Sequence, residues 1–174
     1  DCRDDPPAFE LARAAFRFEG SIRNAIHDFK FKGRREMAEP LAALLHRVLQ
    51  KTPGILDGVD AVVPVPLHPR RRRARGYNQA EALAVPLACL AGLGCLPGAL
   101  ARTRETPPQV GLNRAARKAN VAGAFAAPET SIVTGRRLLL VDDVVTTDAT
   151  VGEAAKALRI AGAAFVRVAA LARG

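Results

Sequence analysis

The chain of 174 residues has few of several residue types, and each scarcity excludes a class of protein. It has no tryptophan and one tyrosine, which argues against an extensive aromatic platform for stacking bases. Its three cysteines form no CxxC pair, so we expect a reducing compartment, the cytoplasm, rather than a disulfide framework. No apolar run approaches the ~20 residues that cross a bilayer, which predicts no membrane span. The acidic opening DCRDDPPAFE has no apolar core of a secretory signal.

Acidic residues are the minority charge. The chain has 17 Asp and Glu against 26 Lys and Arg, for a formal net charge of +9. This excess favours polyanionic partners, namely phosphorylated ligands, nucleic acid or acidic lipid headgroups. The alternative is a basic surface with no dedicated partner.

The positive charge is concentrated where a loop is expected after a strand over 60–65. Five arginines crowd into six positions there. They could neutralise a pyrophosphate or follow a nucleic-acid backbone, and the alternative is a solvated charged face. These residues are Arg70, Arg71, Arg72, Arg73 and Arg75, and Arg117 in a later polar segment is a further candidate.

Hydrophobic periodicity predicts the fold class. Helical spacing predicts helices over 21–31, 37–49, 78–90 (bent or divided at Pro86) and 149–161. Short apolar runs predict strands over 11–18, 60–65, 99–102, 137–142 and 165–171. This alternation predicts an α/β fold with a mostly parallel sheet flanked by helices. We assign residues 1–35 to a small N-terminal appendage and 36–174 to the α/β domain.

The segment LLLVDDVVTTDAT, residues 138–150, is the most informative part of the chain. A buried strand ends in two adjacent carboxylates, Asp142 and Asp143, which would repel each other unless a ligand relieves them. A sugar diol could donate hydrogen bonds to them, and Mg²⁺ could be held by them directly or through water. Thr146, Thr147 and Thr150 add hydroxyl donors beside the free N–H groups of a helix start, which suits a phosphate. The alternative is that these residues only end a strand and cap a helix.

This segment resembles the phosphoribosyl pyrophosphate signature of type I phosphoribosyltransferases. Three further segments resemble the ComF-type branch of that family, whose name comes from competence protein F. They are FEGSIRNAIHDFKFKGR, VVPVPLHPRRRRARGYNQAEALA and RTRETPPQVGLNRAARKANVAGAF. The resemblance implies a Rossmann-like phosphoribosyltransferase fold, with a pocket for phosphoribosyl pyrophosphate (PRPP) at the strand ends, and a role in DNA uptake during natural transformation.

The resemblance also implies roles for individual residues. Asp142 and Asp143 would be the catalytic pair that holds the ribose hydroxyls and, indirectly, Mg²⁺. The 5-phosphate would bind Thr146, Thr147, Asp148, Ala149 and Thr150. The pyrophosphate would lie at the loop formed by Val65, Pro66, Leu67 and His68.

Two features depart from the family pattern. Asp148 stands where the signature usually has glycine, whose backbone tolerates a positive φ and a close phosphate. A carboxylate there would oppose a phosphate, so we expect Asp148 to weaken phosphate binding unless it turns outward. ComF-type proteins also commonly begin with a four-cysteine zinc ribbon. Only Cys2 could belong to such a ribbon, and one cysteine cannot form a tetrahedral zinc site.

Three functions are compatible with these residues. The first is a protein of natural transformation that binds single-stranded DNA through its basic surface and PRPP in its pocket. The second is an active phosphoribosyltransferase that uses PRPP and Mg²⁺ on an unidentified nitrogenous acceptor. The third is a scaffold that binds a competence helicase or another DNA-processing protein.

Four side chains of the polar segment 103–120 could form a mobile cover over the pocket, namely Gln109, Asn113, Arg117 and Asn120. Phe29 and Phe31, which alternate with lysines, are expected in the core rather than in a base-stacking surface. Cys89 and Cys95 lie in an apolar stretch and are expected to be small buried side chains.

Overall fold

A computed structural model describes residues 7–107 and 113–174. Its first half contains β1 (Ala12–Arg17), α1 (Gly20–Phe31), α2 (Ala38–Gln50), β2 (Ala61–Pro64), α3 (Pro69–Arg75) and α4 (Gln79–Ala91). Its second half contains β3 (Gly94–Cys95), β4 (Ala101–Arg102), α5 (Arg114–Val121), β5 (Phe125–Ala126), β6 (Arg137–Val145), α6 (Ala149–Ile160) and β7 (Phe165–Arg173). Short 3₁₀ turns lie at Arg35–Met37 and Thr130–Ile132. Within the described ranges, no helix combines the length and apolarity that a bilayer crossing requires.

Five strands form one parallel sheet in the order β1-β7-β6-β2-β3. β6 lies at its centre, because its Leu138–Val141 run is buried on both sides, as a parallel strand requires. The short strands β4 and β5 pair with each other in antiparallel fashion outside this sheet. The predicted α/β class with a mostly parallel sheet is therefore confirmed.

Helices cover both faces of the sheet. Leu138 and Leu140 of β6 belong to one buried cluster, which includes the apolar side of α6. Leu139 and Val141 belong to the other cluster, with α1, α2 and α4. This alternation follows from the two-residue period of a strand, and it leaves the carboxyl ends of the strands as the open edge.

The N-terminal segment is built into this core. β1 pairs with β7 as an edge strand of the main sheet, and Ile26 and Phe29 of α1 are fully buried against α2 and α4. Residues 12–31, predicted as part of an appendage over 1–35, thus share the core of residues 36–174. The predicted core position of Phe29 is confirmed, but that of Phe31 is wrong, because its side chain is 63% exposed.

The arginine-rich segment is a helix and not the predicted loop. Pro69 occupies the first turn of α3, where its missing N–H costs no hydrogen bond. The His68 Nδ1 accepts a hydrogen bond from the Arg70 backbone N–H at 3.4 Å, and Gly76 ends the helix with φ of 86°. The seven residues that begin with this proline and end before the left-handed glycine therefore form two turns, which distribute the arginines around the helix axis.

Three other predictions also differ from the structure. α4 runs through Pro86 without being divided. β6 extends to Val145, past the predicted end at residue 142, so both aspartates lie within the strand. Cys89 is exposed rather than buried, and Cys95 is half-buried.

Candidate functional site

A cavity of about 240 Å³ opens at the carboxyl ends of β2 and β6. The two strands are neighbours, and the Val65 N–H donates to the Val141 carbonyl at 2.9 Å, so their following loops meet there. Such an edge is where open α/β sheets bind ligands. The predicted site residues that line this cavity are Val65, Pro66, Leu67, Arg71, Arg75, Asp142, Asp143, Thr146, Thr147 and Thr150.

The two aspartates open to this cavity but have different partners. Asp143 is 6% exposed, and its Oδ1 lies 2.8 Å from the Nζ of Lys30. Asp142 is half-buried, and its Oδ1 accepts a hydrogen bond from the Asp143 backbone N–H at 2.8 Å. Successive strand residues point to opposite faces, yet both carboxylates reach one cavity because β6 ends beside it. Asp142 is therefore the carboxylate that has no side-chain cation in direct contact.

The environment of Asp142 favours its protonated form. Burial raises the pKa of Asp142 to about 7, and the negative charge of Asp143 acts in the same direction. Lys30 and Arg102 oppose this rise without cancelling it. Near neutral pH the two carboxyl groups consequently share fewer than two negative charges.

Cationic side chains surround the carboxylates. Arg71 and Arg75 lie four residues apart on one face of α3 and line the cavity together with Lys30 and Arg102. Thr106, which is buried, holds two of them: its carbonyl accepts from Arg71 Nη2 at 2.7 Å, and its hydroxyl accepts from Arg102. Burial lowers the pKa of both Arg75 and Arg102, although both guanidinium groups stay charged. The positive charge of these four side chains makes this part of the cavity suitable for binding an anion.

The remaining arginines of α3 face elsewhere. Arg70 pairs with Glu105 at 3.0 Å and Arg72 with Glu81 at 3.3 Å, so distant acids neutralise part of the run. Arg73 lines a second cavity of about 570 Å³. The five arginines thus form no single face, because only Arg71 and Arg75 line the cavity that contains the carboxylates.

Within the described ranges, three buried donors of side chains at the first cavity have no hydrogen-bond partner. They are the Thr147 hydroxyl, the Gln79 Nε2 and the Arg102 Nε. Buried polar atoms are nearly always paired, so three orphans around one cavity point to a polar ligand that would accept from them. The N-terminus of α6 lies beside them, because that helix begins at Ala149.

Other predicted residues lie outside the lining of this cavity. The Asp148 carboxylate lies 3.5 Å from Arg173 and its φ is −70°, so its backbone takes no left-handed conformation. Ala149 is also outside the lining, and His68 caps α3 instead. Arg117 reaches the site indirectly, since its Nη1 donates to the Thr146 Oγ1 at 2.9 Å.

The predicted cover is only partly within the described residues. Asn113 caps α5 by accepting from the Ala116 N–H, and Asn120 donates to the Pro107 carbonyl. Gln109 and Cys2 lie outside the described residues. In the part of the chain that the structure describes, no three His, Cys, Asp or Glu side chains cluster as metal ligands.

Four polar residues of the cavity lining were not predicted as site residues: Lys30, Asn78, Gln79 and Arg102. Asn78 positions the site, since its Nδ2 donates to the Val65 carbonyl at 3.1 Å and its Oδ1 accepts from the Ala80 N–H. The only signal for Asn78 and Gln79 was their place in the RGYNQ motif. Lys30 and Arg102 carried no local signal, because only tertiary packing brings them to the strand ends.

The second cavity adjoins the first. Both cavities are lined by Pro66, Leu67, Asn78 and Arg102. Its other walls include Leu100, Pro97 and Glu81, a mixture of apolar and polar groups. The site therefore has a smaller, charged compartment and a larger neighbour of mixed polarity.

Comparisons with known proteins agree with this architecture. The chain is 38% identical over 175 residues to the DNA utilization protein YhgH of Escherichia coli K12, covering 99% of this chain and 76% of that protein. It is 36% identical over 151 residues to Competence protein F of Haemophilus influenzae, covering 85% and 66%. Competence protein ComFC of Streptococcus pneumoniae is 29% identical over 161 residues, covering 92% and 67%. No family model matches the chain.

Solved structures show the same fold. The glutamine PRPP amidotransferase of B. subtilis, complexed with ADP and GMP, superposes with a TM-score of 0.56 at 20% identity. The match covers 83% of this chain and 30% of that chain. At this identity the likeness establishes the fold alone, and it confirms the predicted type I phosphoribosyltransferase fold.

Proposed function

Because the chain belongs to the ComF-type family of competence and DNA utilization proteins, we propose that it handles single-stranded DNA during DNA uptake and binds a phosphoribosyl ligand in the cavity at the end of β6. The ligand that this cavity suits best is PRPP. DNA binding and ligand binding share one surface, because Arg75 lines the cavity and its guanidinium group also lies over the Phe31 ring outside the lining.

One observation carries the ligand proposal: residues with opposite charges and with unpartnered donors line a single cavity. Asp142 and Asp143 offer acceptors for sugar hydroxyls. The Thr147 hydroxyl and the start of α6 offer donors to a phosphate at the other end of the same turn. Arg71 and Arg75 lie opposite and suit the additional charge of a pyrophosphate. The arrangement thus matches a ribose that carries phosphate groups.

The DNA proposal rests on an aromatic side chain beside the cavity. The Phe31 ring lies 5.0 Å from the Arg75 guanidinium and is 63% exposed, although an isolated phenylalanine gains by burial. An exposed ring next to arginine is the arrangement that binds a base by stacking and its phosphate by charge. Lys32 and Arg34 follow in the chain and are exposed as well, but each is paired with an acid, Asp28 and Glu36, so the proposal rests on Phe31 and Arg75.

Replacing Phe31 with alanine is expected to weaken binding of a labelled single-stranded oligonucleotide roughly tenfold at constant salt, since stacking contributes about 1–3 kcal/mol per base. Fluorescence anisotropy over a salt series measures this. The slope of log affinity against log salt should stay unchanged, because no phosphate contact is removed.

The matched control is Ile160→Ala, which removes an even more exposed apolar side chain, 78% exposed, from α6. It should leave DNA affinity unchanged. Equal affinity of the Phe31→Ala variant and the unaltered chain would refute the stacking role. Absence of any salt-dependent DNA binding by the unaltered chain would refute direct DNA handling, and would favour the alternative that the chain acts through a helicase or another DNA-processing protein.

The adjoining cavity favours a second candidate function, phosphoribosyl transfer. An acceptor nitrogen held near Leu67 and Leu100 could attack the ribose C1 as the bond from C1 to the pyrophosphate oxygen breaks. Asp142 and Asp143 would stabilise the developing positive charge of the sugar, and the arginines would bind the departing pyrophosphate. Release of pyrophosphate from PRPP in the presence of a nitrogenous base tests this, and no release with any common base would count against it.

The Mg²⁺ that the family resemblance implies meets an incomplete ligand set. Asp143 is already paired with Lys30, and Asp142 is the remaining carboxylate at a wall with three arginines. Mg²⁺ is usually held by one or two carboxylates together with substrate phosphates and waters, whereas here a lysine contacts one carboxylate and three arginines line the same cavity. The residues present therefore fit an anion better than a divalent cation, and we assign no step to the metal.

A further inference from the structure

Lys30 is held at the cavity by the core. It lies in the last turn of α1, one residue after Phe29, which is fully buried and packs edge-on against Tyr77 with ring centroids 5.7 Å apart. Ile26, one turn earlier, is fully buried as well. The Lys30 side chain is 20% exposed and that of its partner Asp143 8%. Packing of Ile26 and Phe29 thus fixes this part of α1, and the contact with Asp143 holds the ammonium group, unlike the mobile end of a surface lysine.

The Lys30 ammonium occupies the place where a metal would have to neutralise Asp143. A divalent cation that bound this carboxylate would have to share it with Lys30, which already contacts Oδ1, and would lie at a cavity also lined by Arg71, Arg75 and Arg102. The repulsion among these charges works against the metal, whereas an incoming phosphate or pyrophosphate gains from all four cations. The same surroundings thus disfavour a metal and favour an anion.

On the basis of the proposed function, we infer that this cavity binds its phosphoribosyl ligand without a divalent metal, and that Lys30 supplies the fixed positive charge in its place. Lys30 acts here as a positioning residue. Its ammonium contacts the Asp143 carboxylate and orients it at the cavity, and it adds to the field that attracts the pyrophosphate. In this respect the cavity differs from a pocket whose affinity for PRPP depends on Mg²⁺.

Calorimetric titration with PRPP tests the inference. The whole chain is titrated in excess EDTA and in excess MgCl₂, and the dissociation constants are expected to agree within about threefold. Lys30→Met should lose at least about tenfold of its affinity in EDTA, since a charge-assisted contact is removed. Excess Mg²⁺ should restore part of that loss. Lys30→Arg, which keeps the charge, should stay within about threefold of the unaltered chain in EDTA.

Lys32→Met is the matched control. Lys32 carries the same charge two residues further on, pairs with Asp28 at 2.9 Å and lies outside the cavity lining. It should bind PRPP like the unaltered chain in both buffers. Thermal melting of each variant shows whether it is folded, and if Lys30→Met is unfolded, Lys30→Gln replaces it in the same titrations.

The outcomes separate the inference from the proposed function. If the unaltered chain binds PRPP only with Mg²⁺, the ligand proposal stands and the role of Lys30 is overturned. The role of Lys30 is also overturned if Lys30→Met binds PRPP in EDTA as tightly as the unaltered chain does. It is overturned as well if Mg²⁺ restores none of the affinity that this variant loses. If the chain binds no PRPP in either buffer, the proposed ligand itself fails.

Discussion

Replacing Arg71 and Arg75 together with glutamine will weaken PRPP binding at least about a hundredfold, since each charge-assisted hydrogen bond contributes about 1.5–3 kcal/mol. The two guanidinium groups lie four residues apart on one face of α3 and line the cavity that contains both aspartates. Glutamine stays polar but is shorter and lacks both the charge and the guanidinium fork, so the expected loss combines lost charge with lost hydrogen bonds. Calorimetric titration measures it.

The same double variant should lose affinity for single-stranded DNA more steeply at low salt than at high salt. Two phosphate contacts fewer reduce the slope of log affinity against log salt by about 1.4, at about 0.7 per contact for a single strand. A change in affinity with no change in slope would mean that these arginines act on the DNA only by shaping the protein.

Arg13→Gln with Arg47→Gln is the matched control. Both arginines are exposed and neither lines the cavity, and the pair removes the same formal charge of two. If this control weakened PRPP binding as much as the Arg71 and Arg75 variant, the effect would come from net charge alone. The local site described above would then be refuted.

The second large expected effect is a change in the free energy of unfolding with pH. The pKa of Asp142 rises from the ordinary value of 3.8 to about 7 in the folded chain, so the folded state binds this proton more tightly than the unfolded state. The contribution of Asp142 to stability is therefore fully present below about pH 4 and is lost as the pH rises through 7. This loss is on the order of 4 kcal/mol, because the rise of about three pKa units corresponds to about 1.4 kcal/mol per unit.

Asp142→Asn should remove this dependence, because the amide stays neutral. Urea denaturation at pH 5 and pH 8 should show a smaller difference in the free energy of unfolding for the variant than for the unaltered chain. The variant should also be the more stable of the two at pH 8. A decline of equal size in both proteins would show that the Asp142 carboxyl does not titrate in this window.

Asp60 provides the opposite control. Its contacts with Arg137, the closest at 2.7 Å, lower the pKa of Asp60 to about 2. Its contribution to stability is present above about pH 4 and is lost as the pH falls through 2. Asp60→Asn should therefore leave the change between pH 5 and pH 8 as it is in the unaltered chain.

The central strand and its ligand turn could be predicted because their signal is local. The apolar run LLLV predicts burial on both faces of a strand. The two aspartates and the three threonines follow it directly, within residues 142–150. A strand buried in this way places its polar end at the sheet edge whatever the rest of the chain does. The pairing of β2 with β6 then brings the loop over 65–67 to the same edge.

The cationic half of the site could not be predicted in the same way. Lys30 and Arg102 reach the cavity from α1 and β4, and no periodicity in the sequence relates those elements to β6. The sequence predicts a loop where α3 lies, and it does not show that Glu81 and Glu105 neutralise two of the adjacent arginines. The Phe31 ring is exposed because Phe29 occupies the buried face of α1.

Tertiary contacts change the effect expected of Asp148, which stands where the family signature usually has glycine. From the sequence, its carboxylate should oppose a bound phosphate. In the structure, it lies beside Arg173 of β7 and outside the cavity lining, with its charge partly neutralised. We therefore expect Asp148 to affect phosphate binding less than the motif alone predicts.

The central claim is that the acids and the hydroxyl turn at the end of β6 bind one phosphoribosyl ligand. Amide NMR of the isotope-labelled chain, at 18.5 kDa a suitable size, tests it directly by titration with PRPP. The account predicts saturable shifts of residues 142–150 together with Lys30 and Gln79, and small shifts elsewhere. Saturable shifts confined to other parts of the chain, or no shifts at all, would contradict it.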